Sequence, residues 1–304
     1  MILTVTPNTA LDVTYTLDRL VPDRAHRASR VDRRAGGKGV NVARVLHTLG
    51  VTVCAAGTAG GPDGESLRAD LAAAGIRHEL VAIGANSRRT TTLVSTMDKT
   101  VTLLNEPGAE LTEREWAALT WLVERLAPAA SVLVCSGSLP PGAPADGYAR
   151  LLGAAAGPSV LDTSGDALLA GLAARPSVVK PNLAELLEVT GIGDPRAAAA
   201  ALREGGAGAV LVSLGEDGLL ASTADGEWLA KPSEVLTGNP TGAGDAAVAG
   251  IALELARGAG WPAVLRRAVA LSAAAVLGQL AGDVDLAHYR SEHHSVTVTQ
   301  LDGP

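Results

Sequence analysis

Short apolar runs alternating with amphipathic stretches constrain this chain's fold more than any other feature. Runs 2–6, 51–57, 131–136, 158–163, 177–180 and 208–214 read as strands. Residues 38–49, 64–74, 112–127, 146–156, 182–190, 195–204, 242–257 and 262–279 carry helical patterning. Strand–helix alternation at this spacing predicts an α/β fold, a mostly parallel sheet covered on both faces. Ligands of such sheets gather at the carboxyl ends of strands, in loops that enter helices. Two segments, 12–34 and 87–105, break the rhythm: rich in Thr, Val and Arg, they alternate with period two, as in Thr90–Ser95. They predict a small antiparallel β lid on a single domain spanning 1–304. No internal repeat or long linker interrupts it.

The chain has no Phe and only 2% aromatic residues, so its core must be built from Ala, Val and Leu. A net charge of −7, with no Lys/Arg block, argues against a nucleic-acid partner. An anionic substrate would need a local basic cluster. Cys54 and Cys135 lie far apart in apolar runs and read as buried small hydrophobes in a reducing compartment. The first residues alternate as a strand and lack the basic and apolar regions of a signal peptide. No stretch approaches the ~18 apolar residues of a membrane span. The expected setting is cytoplasmic, with no membrane partner.

The sharpest chemical signal is Asn239-Pro240-Thr241-Gly242-Ala243-Gly244-Asp245, which opens an apolar helix. Gly242, Ala243 and Gly244 let backbone approach a ligand, and their N–H groups point out of the helix's positive end. Asp245 is the one residue there able to accept a proton. An anion hole touching a carboxylate suits phosphoryl transfer to a hydroxyl. The bland alternative is an ordinary Gly-rich turn with an acid complementing the helix dipole. That dipole predicts a depressed Asp245 pKa.

Earlier, Gly36-Gly37-Lys38-Gly39-Val40-Asn41 fits neither a Walker A loop nor a dinucleotide fingerprint. It still combines a backbone nest, a cation and an amide at a helix mouth, suited to a phosphorylated or polyhydroxylated small molecule. Asp12, just after the first strand, can accept bonds from two sugar hydroxyls, or serve a turn. Arg27, Arg88 and Arg89 lie on the lid segments, where an arginine fork could hold a phosphate, or merely a solvated strand face. Ser136-Gly137-Ser138 ends a strand; Ser138 reads as a small hydroxyl beside a pocket, since no G-x-S-x-G is present. Asn182 and Glu185 share a helix face at i, i+3, as a capping box or as a pair orienting hydrated Mg²⁺. Ser213, Gly215 and Gly218 form a turn that a flat ring or phosphate could approach. No His lies at metal-ligand spacing from Cys or a carboxylate.

Taken in order, these segments resemble the PfkB (ribokinase-like) carbohydrate kinases, in the branch containing 1-phosphofructokinase and tagatose-6-phosphate kinase. Gly36–Arg44 resembles the first family signature and Thr241–Asp245 the second. Thr6-Pro7-Asn8, Leu104–Gly108, Ser136–Gly142, Leu161–Gly165 and Lys180-Pro181-Asn182 are further marks of the branch. The resemblance implies a three-layer ribokinase-like sandwich with a small antiparallel β lid. It implies Asp245 as base, with backbone at Gly242, Ala243 and Gly244 as anion hole. Asp12, Gly37, Lys38, Asn41 and Ser138 would hold the sugar, with Arg89 and Arg27 at its phosphate. Lys180, Asn182, Glu185, Ser213, Gly215 and Gly218 would serve ATP and Mg²⁺, Glu185 reaching the metal through water. Fructose 1-phosphate is the leading acceptor; tagatose 6-phosphate, fructose 6-phosphate or a free sugar are alternatives, as is a catalytically silent sugar-phosphate sensor. A homodimer through the lid is implied too. Thr9, Pro240-Thr241 and Thr91 depart from the branch pattern, Thr91 standing where relatives carry Asn after the lid arginine.

Overall fold

A computed structural model describes residues 1–302. The chain begins β1 (Ile2–Thr6), β2 (Ala10–Leu17), β3 (Arg30–Gly36), α1 (Lys38–Thr48), β4 (Val53–Ala59) and α2 (Gly61–Ala73). Next come β5 (His78–Ala82), β6 (Arg88–Ser95), β7 (Thr100–Asn105), α3 (Glu113–Leu126), β8 (Val132–Ser136) and α4 (Gly147–Leu152). The middle continues with β9 (Ser159–Asp162), α5 (Gly165–Gly171), β10 (Val178–Val179), α6 (Leu183–Thr190) and α7 (Pro195–Glu204). Then follow β11 (Ala209–Ser213), β12 (Leu219–Thr223), β13 (Gly226–Lys231), α8 (Ala243–Ala256), α9 (Trp261–Val276), α10 (Leu286–Ser295) and β14 (Thr297–Leu301).

Ten strands form one sheet in the order β14-β13-β12-β11-β10-β9-β8-β1-β4-β5. From β5 through β11 neighbours run parallel; β12, β13 and β14 extend the edge antiparallel. All five residues of β1 are buried because both faces are covered. Successive side chains leave to opposite faces. Ile2, Val132 and Val134 therefore enter the core shared with α1, α2, α8 and α9, while Leu3, Val5, Leu133 and Cys135 enter the one shared with α3 to α7. Two cores on one sheet make three layers, matching the expected sandwich. Helix α8 is apolar on nearly every side because it packs against α1, α9 and strands β1, β8 and β9 at once.

The second sheet has the order β3-β2-β6-β7. Its outer pairs are antiparallel, and the central pair β2–β6 runs parallel. Leu11 and Val13 of β2 are buried on the side where α2 packs. The predicted lid segments supply all four strands. Strands β5, β12, β13 and β14 and helices α5 and α10 have no counterpart among the predicted runs: α5 is seven residues long, and α10 is too polar to display a stripe. Helix α2 starts three residues earlier than predicted, with Pro62 in its first turn. Among the described residues no helix is long and apolar enough to cross a membrane.

Candidate active site

The carboxyl ends of the parallel strands carry a row of polar side chains. Ser136 and Asp162 are register partners on β8 and β9, and Lys180 follows β10. Asp162 is fully buried, and its Oδ1 lies 3.3 Å from Lys38 Nζ and 3.6 Å from Lys180 Nζ. Lys38 is the first residue of α1, so cations from two different elements meet at one carboxylate. Asp162, its Coulomb partner, is the main reason Lys38 is held firmly protonated, against the cost of burial.

Helix α8 begins at the same edge. Gly242 is its N-cap at φ +88°, backbone that an L side chain rarely adopts. A Cβ on Gly244 would lie 3.6 Å from Lys180 Nζ, so the first turn's N–H groups and an ammonium share one space. Asp245 is 7% exposed. Its Oδ2 accepts a 2.8 Å hydrogen bond from Asn41 Nδ2, which ties α8 to α1. The helix-dipole expectation for Asp245 is overturned: its pKa is raised to about 6. Desolvation is the largest cause and the nearby Asp162 charge adds to it, outweighing Lys38, the Asn41 bond and Lys180.

Asp12 faces the site from β2, where it pairs in register with Arg34 on β3 and Thr90 on β6. A Cβ at Gly36 would fall 2.0 Å from the Asp12 carboxyl carbon, so only glycine fits under it. Burial raises the Asp12 pKa to about 7, partly countered by Arg88 and reinforced by Asp245. Asp12, Thr14, Arg34, Asn239, Thr241 and Ala281 line one polar crevice, which joins the lid's inner face to the approach of α8.

The lid arginines separate. Arg88, register partner of Ala10, lies on the Asp12 side; its Nε donates to the Asn8 carbonyl (3.2 Å) and its Nη1 to the Glu106 carbonyl (3.1 Å). Arg89 turns to the other face and forks onto Asp63 of α2. Arg27 is exposed in the loop between β2 and β3, and no side-chain bond joins it to Asp12 or Lys38. The structure thus brings Arg88, rather than Arg89 or Arg27, to Asp12. Strand parity decides this, and parity depends on a β2–β6 register that sequence spacing does not give.

Ser138 is exposed just beyond β8, where its Oγ accepts from Asn8 Nδ2 (3.0 Å). Asn182 and Glu185 form a reciprocal capping box: Asn182 N–H donates to Glu185 Oε2 (2.8 Å) and Glu185 N–H to Asn182 Oδ1 (2.9 Å). The Glu185 charge also helps to raise the Lys38 pKa. Asn182, Ser213, Gly215 and Gly218 line a cleft of about 610 Å³ that runs to Ala243 and Gly244. Its remaining walls come from the 232–240 segment and from small side chains of α8 and α9, a volume and lining suited to a nucleotide. Gly37 is the N-cap of α1 at φ +97°. Asp162 and Asn8 are given no role by a motif-based choice of site, and Arg88 is weighed there only as one of three lid arginines. Asp162 stood inside the Leu161–Gly165 motif, but a lone Asp after a strand carries no pattern of its own.

An acid at the mouth of a backbone cradle, between a nucleotide-sized cleft and a lid face holding a second acid and arginines, defines a small-molecule kinase. The sequence profile of the pfkB family carbohydrate kinase matches residues 6–286, and the chain belongs to that family. A 1-phosphofructokinase from Xanthomonas campestris is 41% identical over 268 residues, 83% of each chain. Phosphofructokinase-2 from Escherichia coli, solved in complex with potassium, superposes with a TM-score of 0.90 at 31% identity, covering 96% of this chain and 98% of that one. A protein described as a possible 1-phosphofructokinase from Thermotoga maritima gives 0.90 at 26% identity, over 99% and 100%. The chain is a phosphotransferase with an alcohol-group acceptor, a carbohydrate kinase that uses ATP.

Proposed function

We propose that this kinase transfers the γ-phosphoryl of ATP to the free primary hydroxyl of fructose 1-phosphate, giving fructose 1,6-bisphosphate and ADP. One observation carries the reading: the Asp245 carboxylate lies at the cradle formed by the α8 N-terminus, within the electrostatic reach of Asp12. Asp245 takes the hydroxyl proton as the O–P bond forms, and the backbone at Gly242, Ala243 and Gly244 receives the charge of the moving phosphoryl group. In a loose transition state that proton leaves late, so an acceptor of pKa about 6 is basic enough. Lys38 and Lys180, poised by Asp162, neutralise charge on either side of the transfer. Asp12 accepts from sugar hydroxyls, with Gly37, Asn41 and Ser138 completing the pocket. Arg88, one of the three lid arginines, takes the phosphate role that the family resemblance implied for Arg89 and Arg27.

The donor cleft supports ATP over Asn182, Ser213, Gly215 and Gly218. Among the described residues no group of three His, Cys, Asp or Glu forms a metal cage, and Glu185 is already engaged by Asn182 N–H. This set fits Mg²⁺ carried on the nucleotide phosphates and met by Glu185 through water, where the ion supplies charge neutralisation. Val31, Leu103 and Leu104 are exposed on the lid and support a homodimer through it.

An ADP-release assay over fructose, fructose 1-phosphate, fructose 6-phosphate and tagatose 6-phosphate tests the acceptor. Fructose 1-phosphate is expected to give the highest kcat/KM, by about tenfold or more, the discrimination one well-placed phosphate contact supplies. A higher value for any other member reassigns the substrate. The 41% identity to a 1-phosphofructokinase, against 31% to phosphofructokinase-2, favours this order.

The same assay read against pH tests the two acids. Both must be ionised to work, and both have raised pKa values, about 7 for Asp12 and about 6 for Asp245. Acceptor kcat/KM is therefore expected to fall as pH drops below 7, and to steepen below 6 as the second proton binds. The two carboxylates interact, so the apparent values belong to the pair. Asp12→Asn should leave one acid limb. A profile flat from pH 7.5 to 5 would remove both assignments.

A further inference from the structure

The root of β6 is stitched to the loop that opens α2 by a set of contacts that phosphoryl transfer does not use. Gly60 N–H donates to Ser87 Oγ (3.1 Å), and Ser87 N–H donates back to the Gly60 carbonyl (2.9 Å). Asp63 N–H donates to Asn86 Oδ1 (3.1 Å), and Asn86 Nδ2 to Asp63 Oδ2 (2.7 Å). Arg89 then closes a two-pronged bond on the same carboxylate, Nε to Oδ2 at 2.9 Å and Nη2 to Oδ1 at 3.0 Å. Asp63 is 5% exposed, and its carboxylate accepts from both Asn86 and Arg89. The Arg89 bonds are the main reason its carboxyl is held below the ordinary carboxylate range.

Geometry gives this clamp a consequence inside the site. Along β6 successive side chains alternate, so Arg89 can reach α2 only if Arg88 and Thr90 turn toward Asp12. Helix α2 packs on β2 and β3 of the small sheet and on β4 and β5 of the large one. The clamp therefore fastens β6, the strand carrying Arg88, to the body of the molecule. A bidentate fork fixes orientation as well as distance.

We propose that Asp63, which lies outside the acceptor pocket, is a positioning residue: through Arg89 it sets the orientation of β6, and so the affinity of the Asp12–Arg88 face for the sugar phosphate. This rests on the reading of that face as the acceptor pocket. It also gives Arg89 a different task from phosphate contact.

The test is initial-rate kinetics of wild type, Asp63→Asn, Arg89→Gln and the double variant, with acceptor and ATP varied separately. Wild type is first assayed on the sugar panel, so a wrong acceptor is recognised before any variant is judged, and the acceptor actually used is carried forward. Each single variant is expected to raise the acceptor KM about tenfold, the scale of a small misplacement of a binding group. The KM for ATP should stay within about twofold, and the double variant should be no worse than the poorer single. Arg89→Lys, which keeps charge and one bond, should recover part of the loss. Equal rises in both KM values, or none, overturn the proposal. So does a rise in Arg89→Gln with Asp63→Asn at wild-type values, which would mean that Arg89 itself touches the acceptor. Should Asp63→Asn not accumulate as folded protein, Arg89→Gln and Arg89→Lys, at the exposed end of the pair, decide by the same KM split.

Discussion

Replacing Asp245 by Asn is expected to lower kcat by about 10²–10⁴-fold, the usual contribution of a positioned proton acceptor, with ATP affinity nearly unchanged. Asn has the same shape and keeps an oxygen to accept from Asn41 Nδ2, so the 2.8 Å tie between α1 and α8 survives. The backbone cradle at Gly242–Gly244 and the Lys38–Asp162–Lys180 chain are untouched, which preserves nucleotide binding and leaves residual turnover from positioning. What disappears is the group proposed to take the hydroxyl proton. Because desolvation penalises the Asp245 charge, the neutral amide should also cost nothing in stability. Steady-state kinetics and calorimetric ATP titration of the variant check this; turnover near wild type would remove Asp245 from the reaction.

A second large effect is expected at Asp162, and it should appear in stability first. This carboxylate is 1% exposed and compensates Lys180, 5% exposed by side chain, as well as the partly exposed Lys38. Asp162→Ala leaves a buried ammonium without its counter-charge. Removing one partner of a buried pair costs about 3–5 kcal/mol, seen as a lower midpoint in urea. ATP should return part of that loss, because its phosphates offer the stranded cations new anions and ligand binding stabilises the folded state. A larger midpoint shift by ATP in the variant than in wild type is the distinguishing result. An unchanged midpoint without nucleotide would show that Lys180 has another partner.

How legible all this was in the sequence depends on the range of the physics. The parallel core was legible because β1, β8 and β11 are short apolar runs and helices such as α3 and α7 carry strong stripes. The cradle was legible because glycines and an acid at a helix start are a local pattern. What escaped were facts of register and burial. Arg88 and Arg89 are adjacent and chemically identical, and only pairing of Ala10 with Arg88 puts one inside and one outside. The helix dipole marked Asp245 as a candidate anion-site neighbour but gave the wrong direction for its pKa, since desolvation is a tertiary quantity. Asp162 needed the meeting of β9, α1 and the end of β10, three pieces no spacing rule connects. The capping box of Asn182 and Glu185 fulfils the local reading, and the charge of Glu185 felt at Lys38 keeps the other reading alive.

The position of α8 has a consequence for how the polypeptide is made. It covers β1 and β8 from one side, yet lies more than two hundred residues downstream of β1 along the chain. While the ribosome is still delivering the middle of the protein, Ile2, Val132 and Val134 have no α8 to cover them, and the acceptor wall waits opposite an absent cradle. Hydrocarbon left bare in this way is what chaperones bind. Emergence of the Gly242–Ala256 segment covers these strands and brings Asp245 to Asn41 in the same event, and α9 then completes the core.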